Sequence, residues 1–180
     1  MSITLKIVVI GSKGVGKTTI CNGICDFNNP IPSEYRPTKS VRILETDQEI
    51  SSDQLKNYPY LKEKDIKKVK INIWDMSGDK SIEKLWPAIK DEAHGVILVV
   101  DGKNSKYENN LDEWLNGFSL PEIKIENTIC IAYHKDLVKV EKQKTSNQFP
   151  KLTIFETNYD LNNILPMFHQ FVDRILTQLK

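Results

Sequence analysis

The sequence has few of the residues that build a zinc centre or a disulfide framework. It contains three cysteines among 180 residues, Cys21, Cys25 and Cys130. None lies in a Cys-x-x-Cys or Cys/His spacing, so a structural zinc site is not expected. Cys21 and Cys25 lie one helical turn apart, and we interpret them as small buried residues. This usage favours a reducing compartment.

An excess of charge of one sign is also absent. The chain has 25 Lys and Arg residues against 24 Asp and Glu residues. Composition therefore gives no argument for binding nucleic acid or an anionic membrane. No apolar run approaches the ~20 residues of a membrane span. The first residues lack a secretion-signal pattern, and the last three include no cysteine to prenylate. We expect a soluble cytoplasmic protein without its own membrane anchor.

Strand patterns alternate along the chain with amphipathic helix patterns. This order predicts parallel pairing with right-handed crossovers, and therefore one α/β domain over residues 1–180 with helices on both faces of an open sheet. Pro166 is predicted in the first turn of the last helix. The polar segment 46–68 is predicted to be a surface excursion between the second and third strands. The predicted strands are 5–10, 41–45, 69–74, 96–101, 129–132 and 152–155.

A glycine-rich segment between the first strand and the first helix carries a phosphate-binding pattern. Residues Gly11 to Thr18 satisfy G-x-x-x-x-G-K-[ST]. Such a loop turns its backbone N–H groups toward phosphates, and the following helix adds the positive end of its dipole. Lys17 is expected to bridge the β- and γ-phosphates, and the Thr18 hydroxyl to bind Mg²⁺. The other residues of this segment predicted to bind the nucleotide are Ser12, Lys13, Gly14, Val15, Gly16 and Thr19.

Two further elements follow the loop in the order expected for a nucleoside triphosphate site. Thr38 lies in a proline-containing segment that can fold over the γ-phosphate and give Mg²⁺ a second hydroxyl. Asp75 begins a D-x-x-G pattern directly after a predicted strand. There the aspartate is expected to hold a metal-bound water, and Gly78 to offer its N–H to the γ-phosphate.

With these motifs in this order, the chain resembles the Ras-superfamily small GTPases over nearly its whole length. More closely, it is similar to the Rab-like subunits of the intraflagellar transport B complex. The segments that carry this likeness are 35–45, 74–79, 86–88 and 91–96. The resemblance implies a P-loop small G-domain with a mostly parallel six-stranded sheet and a guanine nucleotide bound with Mg²⁺. It also implies a location in the cytoplasm and in the cilium or flagellum, and docking onto coiled-coil subunits of the transport complex.

Two positions depart from hydrolysing members of the family. The lysine expected to act in catalysis, Lys17, is retained. At the first departing position, Asp79 replaces the glutamine that orients the attacking water, and the γ-phosphate repels the Asp79 carboxylate. Lys13 stands where fast hydrolysers keep glycine. Its side chain either crowds the space that an arginine finger needs or points to solvent. Both departures predict slow hydrolysis.

The base-reading motif is also altered. The family pattern N-K-x-D aligns with residues 134–137, so that His134 replaces the asparagine and Leu137 the aspartate. Lys135 keeps its place and is expected to stack on the purine. Asp136 lies one residue early, and either its carboxylate reads the base or groups in the final loop do so. That loop contributes Thr157 and Asn158.

Three functions remain open from the sequence. The first is a guanine-nucleotide-dependent assembly module with weak hydrolysis, the second a GTPase timer that cycles with an activating protein, and the third a small P-loop kinase or ATPase. For the first we predict a partner surface on an edge strand and the segment after the D-x-x-G turn. Trp86 is alternatively a core residue. The predicted partner-binding residues are Arg36, Val41, Arg42, Leu44 and Trp86.

Overall fold

The fold is described from a computed structural model that covers residues 2–25, 36–104, 106–118, 123–135 and 141–180. Strands and helices alternate for most of the chain, as the sequence pattern predicts. The elements are β1 (Ser2–Ile10), α1 (Lys17–Cys25), β2 (Val41–Glu49), α2 (Pro59–Glu63), β3 (Lys68–Met76), α3 (Trp86–Lys90), β4 (Gly95–Asp101), α4 (Leu111–Gly117), β5 (Thr128–Tyr133), β6 (Glu141–Thr145), β7 (Thr153–Thr157) and α5 (Leu161–Leu176). Short 3₁₀ helices lie at Gln54–Asn57, Lys80–Leu85, Tyr107–Asn110 and Ile125–Asn127.

The strands form one sheet in the order β2-β3-β1-β4-β5-β7-β6. The five inner strands are parallel, and β2 and β6 pair antiparallel at the two edges. The α/β architecture is confirmed, but the predicted number of six strands is wrong because the sheet has seven. The additional strand is β6, whose sequence Glu-Lys-Gln-Lys-Thr has no apolar alternation to indicate a strand.

Two apolar layers cover the two faces of the sheet. Alternate residues of β1 point to opposite faces, so that Leu5 and Ile7 join one layer and Val8 joins the other. The first layer packs against α1 and α5, and the second against α3 and α4. This sandwich leaves the carboxyl ends of the parallel strands, where ligands bind in open α/β sheets, at one end of the molecule.

The connection between β2 and β3 contributes to the first layer. Strand β2 continues to Glu49 and β3 begins at Lys68, so part of the predicted excursion is strand. Residues 62–65 are exposed, but apolar side chains on either side of them are buried. Tyr58 also donates a hydrogen bond to Asp173 of α5, with a distance of 2.7 Å between the two oxygens. The buried side chains are Ile50, Leu55, Tyr58, Leu61 and Ile66.

The last helix begins earlier than its proline indicates. Asp160 caps α5 by accepting a hydrogen bond from the N–H of Asn162. Pro166 is therefore the sixth residue of the helix, and its predicted place in the first turn is wrong. The ring costs ~3 kcal/mol within a helix. Burial of neighbours such as Phe168 and Phe171 offsets that cost, at ~1.5–3 kcal/mol for each large apolar side chain.

No helix within the described residues is both long enough and apolar enough to span a membrane.

Candidate functional site

The glycine-rich loop between β1 and α1 has the backbone geometry of an anion cradle. Gly11, Gly14 and Gly16 adopt φ angles of +135°, +74° and +105°, which favour glycine. Two of them also lie against neighbouring strands. A Cβ atom on Gly11 would be 2.1 Å from the carbonyl oxygen of Val99, and one on Gly16 would be 2.4 Å from the Tyr133 ring. Larger residues at either position would displace the loop from the sheet.

Lys17 lies inside this loop as a buried cation. Its Nζ atom donates hydrogen bonds to the carbonyl oxygens of Gly11 and Ser12, each at 2.8 Å. The residue is only 6% exposed. Burial lowers the pKa of Lys17 to about 8, although the Asp75 carboxylate opposes this shift. An anionic ligand in the loop would supply the charge that a buried ammonium needs.

Thr18, Thr38 and Asp75 converge beside the loop. The Thr18 hydroxyl donates to Asp75 Oδ2 at 2.7 Å, and the Thr18 and Thr38 hydroxyl oxygens lie 3.1 Å apart. Asp75 is fully buried, and its Oδ1 atom has no hydrogen-bond partner within the described part of the chain. Burial raises the pKa of Asp75, while Thr18, Arg42 and Lys17 act in the opposite direction. Two hydroxyls and an orphaned carboxylate oxygen fit Mg²⁺, which binds hard oxygen ligands and keeps several waters.

The described residues contain no cluster of three or more His, Cys, Asp or Glu side chains that could hold a metal ion. The oxygens at Thr18, Thr38 and Asp75 are accordingly too few for a metal cage made by the protein alone. They match the magnesium sites of nucleotide enzymes, in which substrate phosphates and waters complete the coordination.

The segment after β3 closes directly against the glycine-rich loop. A Cβ atom on Gly78 would lie 2.3 Å from the backbone nitrogen of Lys13, so only glycine permits this approach. Next to it, Lys13 Nζ forms an ion pair of 2.6 Å with Asp79 Oδ2. The hydrogen bond from Lys13 and the N–H of Ser81 lower the pKa of Asp79 to about 2. The Lys13 side chain is still 56% exposed, and its ammonium group is held by Asp79.

The altered base motif lies at the end of β5. Lys135 Nζ donates to the carbonyl oxygen of Gly14 and links this loop to the phosphate loop. The His134 ring is buried against Gly102, with Nε2 at 3.7 Å from Glu156 Oε2. Neither ring nitrogen hydrogen-bonds to any residue that the structure describes.

The final loop meets the same end of the sheet. The backbone N–H of His134 donates a hydrogen bond to the carbonyl oxygen of Thr157. The Thr157 hydroxyl donates one to the carbonyl oxygen of Asn158. His134, Lys135, Thr157 and Asn158 are therefore brought together. Asp136 and Leu137 lie outside the described residues.

Two of the predicted partner-binding residues have other roles in the structure. Trp86 begins α3 and is only 8% exposed, so its assignment as an exposed interface residue is wrong. Its ring centroid lies 5.9 Å from that of Trp114 and 5.6 Å from that of Phe118, in the second apolar layer. Arg42 turns its guanidinium inward to Asn22 and Asp75.

The other predicted contacts differ in exposure. Arg36 is exposed, whereas Val41 and Leu44 are partly buried against the two layers. Among the residues that the structure describes, the exposed large apolar ones are instead Ile43, at 52%, and Leu85, at 46%. Ile43 lies directly opposite the half-buried Trp74 in the β2–β3 pair. The alternation of β2 contained the signal, since Ile43 and Leu44 must point to opposite faces.

Comparison with known proteins agrees with this geometry. The sequence model of the family described as Ras of Complex, Roc, domain of DAPkinase matches residues 6–136. Intraflagellar transport associated protein 2 of Caenorhabditis elegans is 36% identical, over 92% of this chain and 71% of that protein. The intraflagellar transport protein 22 homolog of Xenopus tropicalis is 28% identical, over 86% of this chain and 79% of its own length.

Solved structures have the same fold. The T. brucei IFT22/74/81 GTP-bound crystal structure contains a chain with a TM-score of 0.72 and 24% identity, and the match covers 96% of this chain and 95% of that one. The T. brucei IFT22 GDP-bound crystal structure gives a TM-score of 0.64 at 22% identity, covering 97% of each chain. The chain therefore belongs to the Ras-like small GTPase family, in the group that contains intraflagellar transport protein 22 and its homologues.

Proposed function

We propose that this protein is a guanine-nucleotide-binding subunit of an intraflagellar transport complex, with slow hydrolysis, that docks transport subunits through its switch segments during cilium assembly. The switch segments are residues 36–45 and 77–85. The observation that carries the proposal is the convergence of Thr18, Thr38 and Asp75 beside the glycine cradle, since this links the first switch segment to the phosphate site. A location in the cytoplasm and the cilium or flagellum follows from this role.

The phosphate site supports binding of Mg²⁺ with GTP or GDP. Lys17 would hold the β- and γ-phosphates, and Thr18 and Thr38 would bind the metal directly. Asp75 would hold a metal-bound water through its Oδ1 atom. Within the described residues, this atom has no hydrogen-bond partner. When bound, Mg²⁺ neutralises phosphate charge. Gly78 is close enough to the loop to offer its N–H to the γ-phosphate.

A guanine base is supported by family membership and by the position of Lys135 across Gly14. T. brucei IFT22 has been crystallised with GTP and with GDP. The decisive experiment is chromatography of the nucleotide that heat releases from the purified protein, followed by GTP and ATP titrations. We expect guanine nucleotides, whereas equal affinity for ATP and GTP would contradict this part of the proposal.

Two variants test the phosphate site itself. Lys17→Ala should abolish nucleotide retention because it removes the cation aimed into the loop, and Thr18→Asn should weaken Mg²⁺-dependent binding of GTP in particular. The control is Lys151→Ala, which removes an exposed lysine remote from the loop. Wild-type GTP affinity in the Lys17 variant, measured by calorimetry, would refute the site.

Slow hydrolysis is supported by Asp79 and Lys13. The Asp79 carboxylate has no amide N–H with which to orient a water, and it is held by Lys13 beside the space above the loop. We expect a single-turnover rate at or below ~10⁻⁴ s⁻¹. Phosphate release within seconds, without a partner, would instead favour a GTPase timer.

The docking positions that fit best are Ile43 and Leu85, one in each switch segment, together with Trp74 opposite Ile43. Ile43 and Leu85 are the exposed large apolar residues of the described chain, and Ile43 lies opposite Trp74 on the edge of the sheet. Interfaces commonly centre on such apolar and aromatic side chains. The T. brucei relative was crystallised in an IFT22/74/81 assembly. We propose coiled-coil subunits of the intraflagellar transport B complex as the partners.

A pull-down of the transport subunits with an Ile43→Asp, Leu85→Asp variant tests this surface. We expect binding to fall by at least about tenfold while GTP affinity and melting temperature stay close to wild type, because both side chains are exposed. The matched control is Thr145→Asp, an exposed position on β6, the edge strand at the other end of the sheet. Undiminished binding by the folded double variant would move the interface elsewhere.

A further inference from the structure

Arg42 connects the edge strand of the sheet to the buried carboxylate of the phosphate site. It lies directly opposite Asp75 in the antiparallel pair of β2 and β3. Its Nη2 atom donates to Asn22 Oδ1 in α1, and its Nε atom lies 3.6 Å from Asp75 Oδ2. One side chain therefore contacts both α1 and the aspartate expected to face Mg²⁺.

Asp75 needs a positive partner in the absence of a metal ion. It is fully buried, and a buried carboxylate is costly unless a cation or several hydrogen bonds compensate its charge. Thr18 supplies one neutral hydrogen bond. The ammonium of Lys17 is directed at the carbonyl oxygens of Gly11 and Ser12. Among the described residues, Arg42 is the cation that lies within ion-pair distance of Asp75.

We infer that Arg42 is a built-in counter-ion of Asp75, which supplies part of the positive charge that Mg²⁺ would otherwise provide. This inference rests on the proposed binding of Mg²⁺ and nucleotide. A guanidinium is charged at every pH of interest and is held here by Asn22. It stabilises the ionised Asp75 without metal, and by charge repulsion it weakens the binding of a second cation next to the same carboxylate.

Two effects of replacing Arg42 distinguish a counter-ion from a merely structural residue: tighter Mg²⁺ binding and lower stability without Mg²⁺. Loss of the positive charge should tighten Mg²⁺ binding, because one competing cation has gone. It should also make the protein depend more strongly on Mg²⁺, because Asp75 is then compensated only by the more distant charge of Lys17 when the metal is removed. A residue that only supports the fold would weaken nucleotide retention with and without Mg²⁺.

The experiment measures release of a fluorescent GDP analogue from the loaded full chain over a range of Mg²⁺ concentrations and in EDTA. For Arg42→Gln we expect the Mg²⁺ concentration for half-maximal protection to fall about three- to tenfold, and the acceleration of release by EDTA to rise by a similar factor. Arg42→Lys should restore most of the wild-type behaviour because it keeps the charge. Lys39→Gln, which removes an exposed cation three residues upstream, should have little effect.

Melting of the GDP-loaded protein gives a second readout. We expect Arg42→Gln to lower the melting temperature by about 2–4 °C in EDTA and by less in saturating Mg²⁺. A wild-type protein on which Mg²⁺ has no effect would overturn the proposed function. A Mg²⁺ dependence in the wild type that Arg42→Gln leaves unchanged, or weakens at every Mg²⁺ concentration, would overturn this inference alone.

Discussion

Lys13 and Asp79 form an ion pair across the phosphate site, with 2.6 Å between Nζ and Oδ2. Each residue separately departs from the pattern of hydrolysing small GTPases. Their contact means that the two departures act together, since Lys13 holds the carboxylate that occupies the place of the water-orienting glutamine. Both side chains are partly exposed, so the pair contributes little to stability. We therefore expect the pair to affect hydrolysis, through the group that faces the attacking water, rather than stability.

Replacing both members of this pair should raise the rate of hydrolysis. In a Lys13→Gly, Asp79→Gln variant the amide can orient water and the loop is cleared, and we expect at least a tenfold faster single turnover of labelled GTP. Asp79→Gln alone should gain less because Lys13 remains. The control is Lys56→Gly, Asp53→Gln, which removes a Lys–Asp pair of 2.8 Å far from the site. A double variant as slow as wild type would show that another step limits hydrolysis.

Nucleotide affinity should decrease as the pH rises above about 8. Burial lowers the pKa of Lys17 to about 8 in the ligand-free chain, and bound phosphate must raise it again. Binding above pH 8 therefore takes up a proton, and affinity should fall by at most about tenfold per pH unit. Calorimetry with GDP from pH 7 to 9.5 measures this slope. Lys17→Arg should remove the slope because arginine keeps its proton.

The same shift predicts the pH dependence of stability without nucleotide. Because the pKa of Lys17 is lower in the folded chain than the ordinary value of 10.5, the unfolded chain binds more protons between about 8 and 10.5. The contribution of Lys17 therefore increases the free energy of unfolding as pH rises through that window. Unfolding in urea at pH 7.5 and 9.5, compared between wild type and Lys17→Met, isolates this contribution. A larger gain with pH in the variant than in wild type would contradict it.

Trp86→Ala should destabilise the fold rather than the partner interface. Trp86 is buried against Trp114 and Phe118, and truncation of a buried tryptophan costs ~3–5 kcal/mol. Urea unfolding measures this loss. Trp86→Phe keeps most of the contact and should cost less. If Trp86→Ala lost under 1 kcal/mol yet failed to bind transport subunits, the residue would belong to the interface after all.

Tyr58→Phe tests how the β2–β3 connection is held to α5. The change removes the hydrogen bond from the Tyr58 hydroxyl to Asp173 Oδ1, and we expect a loss of ~1–2 kcal/mol in the free energy of unfolding. The matched control is Tyr60→Phe, at a half-buried tyrosine that packs against the same apolar layer. Equal effects of the two changes would mean that the Tyr58–Asp173 bond contributes nothing specific.

Local patterns predicted the residues that converge at the glycine-rich loop, because the motifs there depend on short spacings. The glycines of residues 11–16 and the Asp75–Gly78 turn can each be recognised from a few neighbouring residues. The sheet topology then brings Thr18, Thr38 and Asp75 together. Strand β6 was not predicted because a polar edge strand lacks the apolar alternation of a buried one.

Long-range contacts explain the other differences. The position of Trp86 after a turn indicates a surface residue. In the structure, however, Trp114 of α4 packs against its ring. The direction of Arg42 depends on Asn22 and Asp75, which lie 20 and 33 residues away in sequence. The register of β2 decides that Ile43 rather than Leu44 faces solvent.

The charges along strand β2 also bear on whether two copies of this chain can pair edge to edge. Three carboxylates, Glu45, Asp47 and Glu49, follow Ile43 on the same exposed side of this edge strand. If β2 of one molecule paired antiparallel with β2 of another, these acidic side chains would face their own copies. Like charges opposite one another destabilise a strand pair. Lys68 of β3 lies 2.5 Å from Asp47 and 3.8 Å from Glu49, so part of this negative charge is compensated within the chain. We expect the remaining charge to disfavour pairing of β2 with its own copy and to favour a heterologous strand that carries basic side chains at alternate positions.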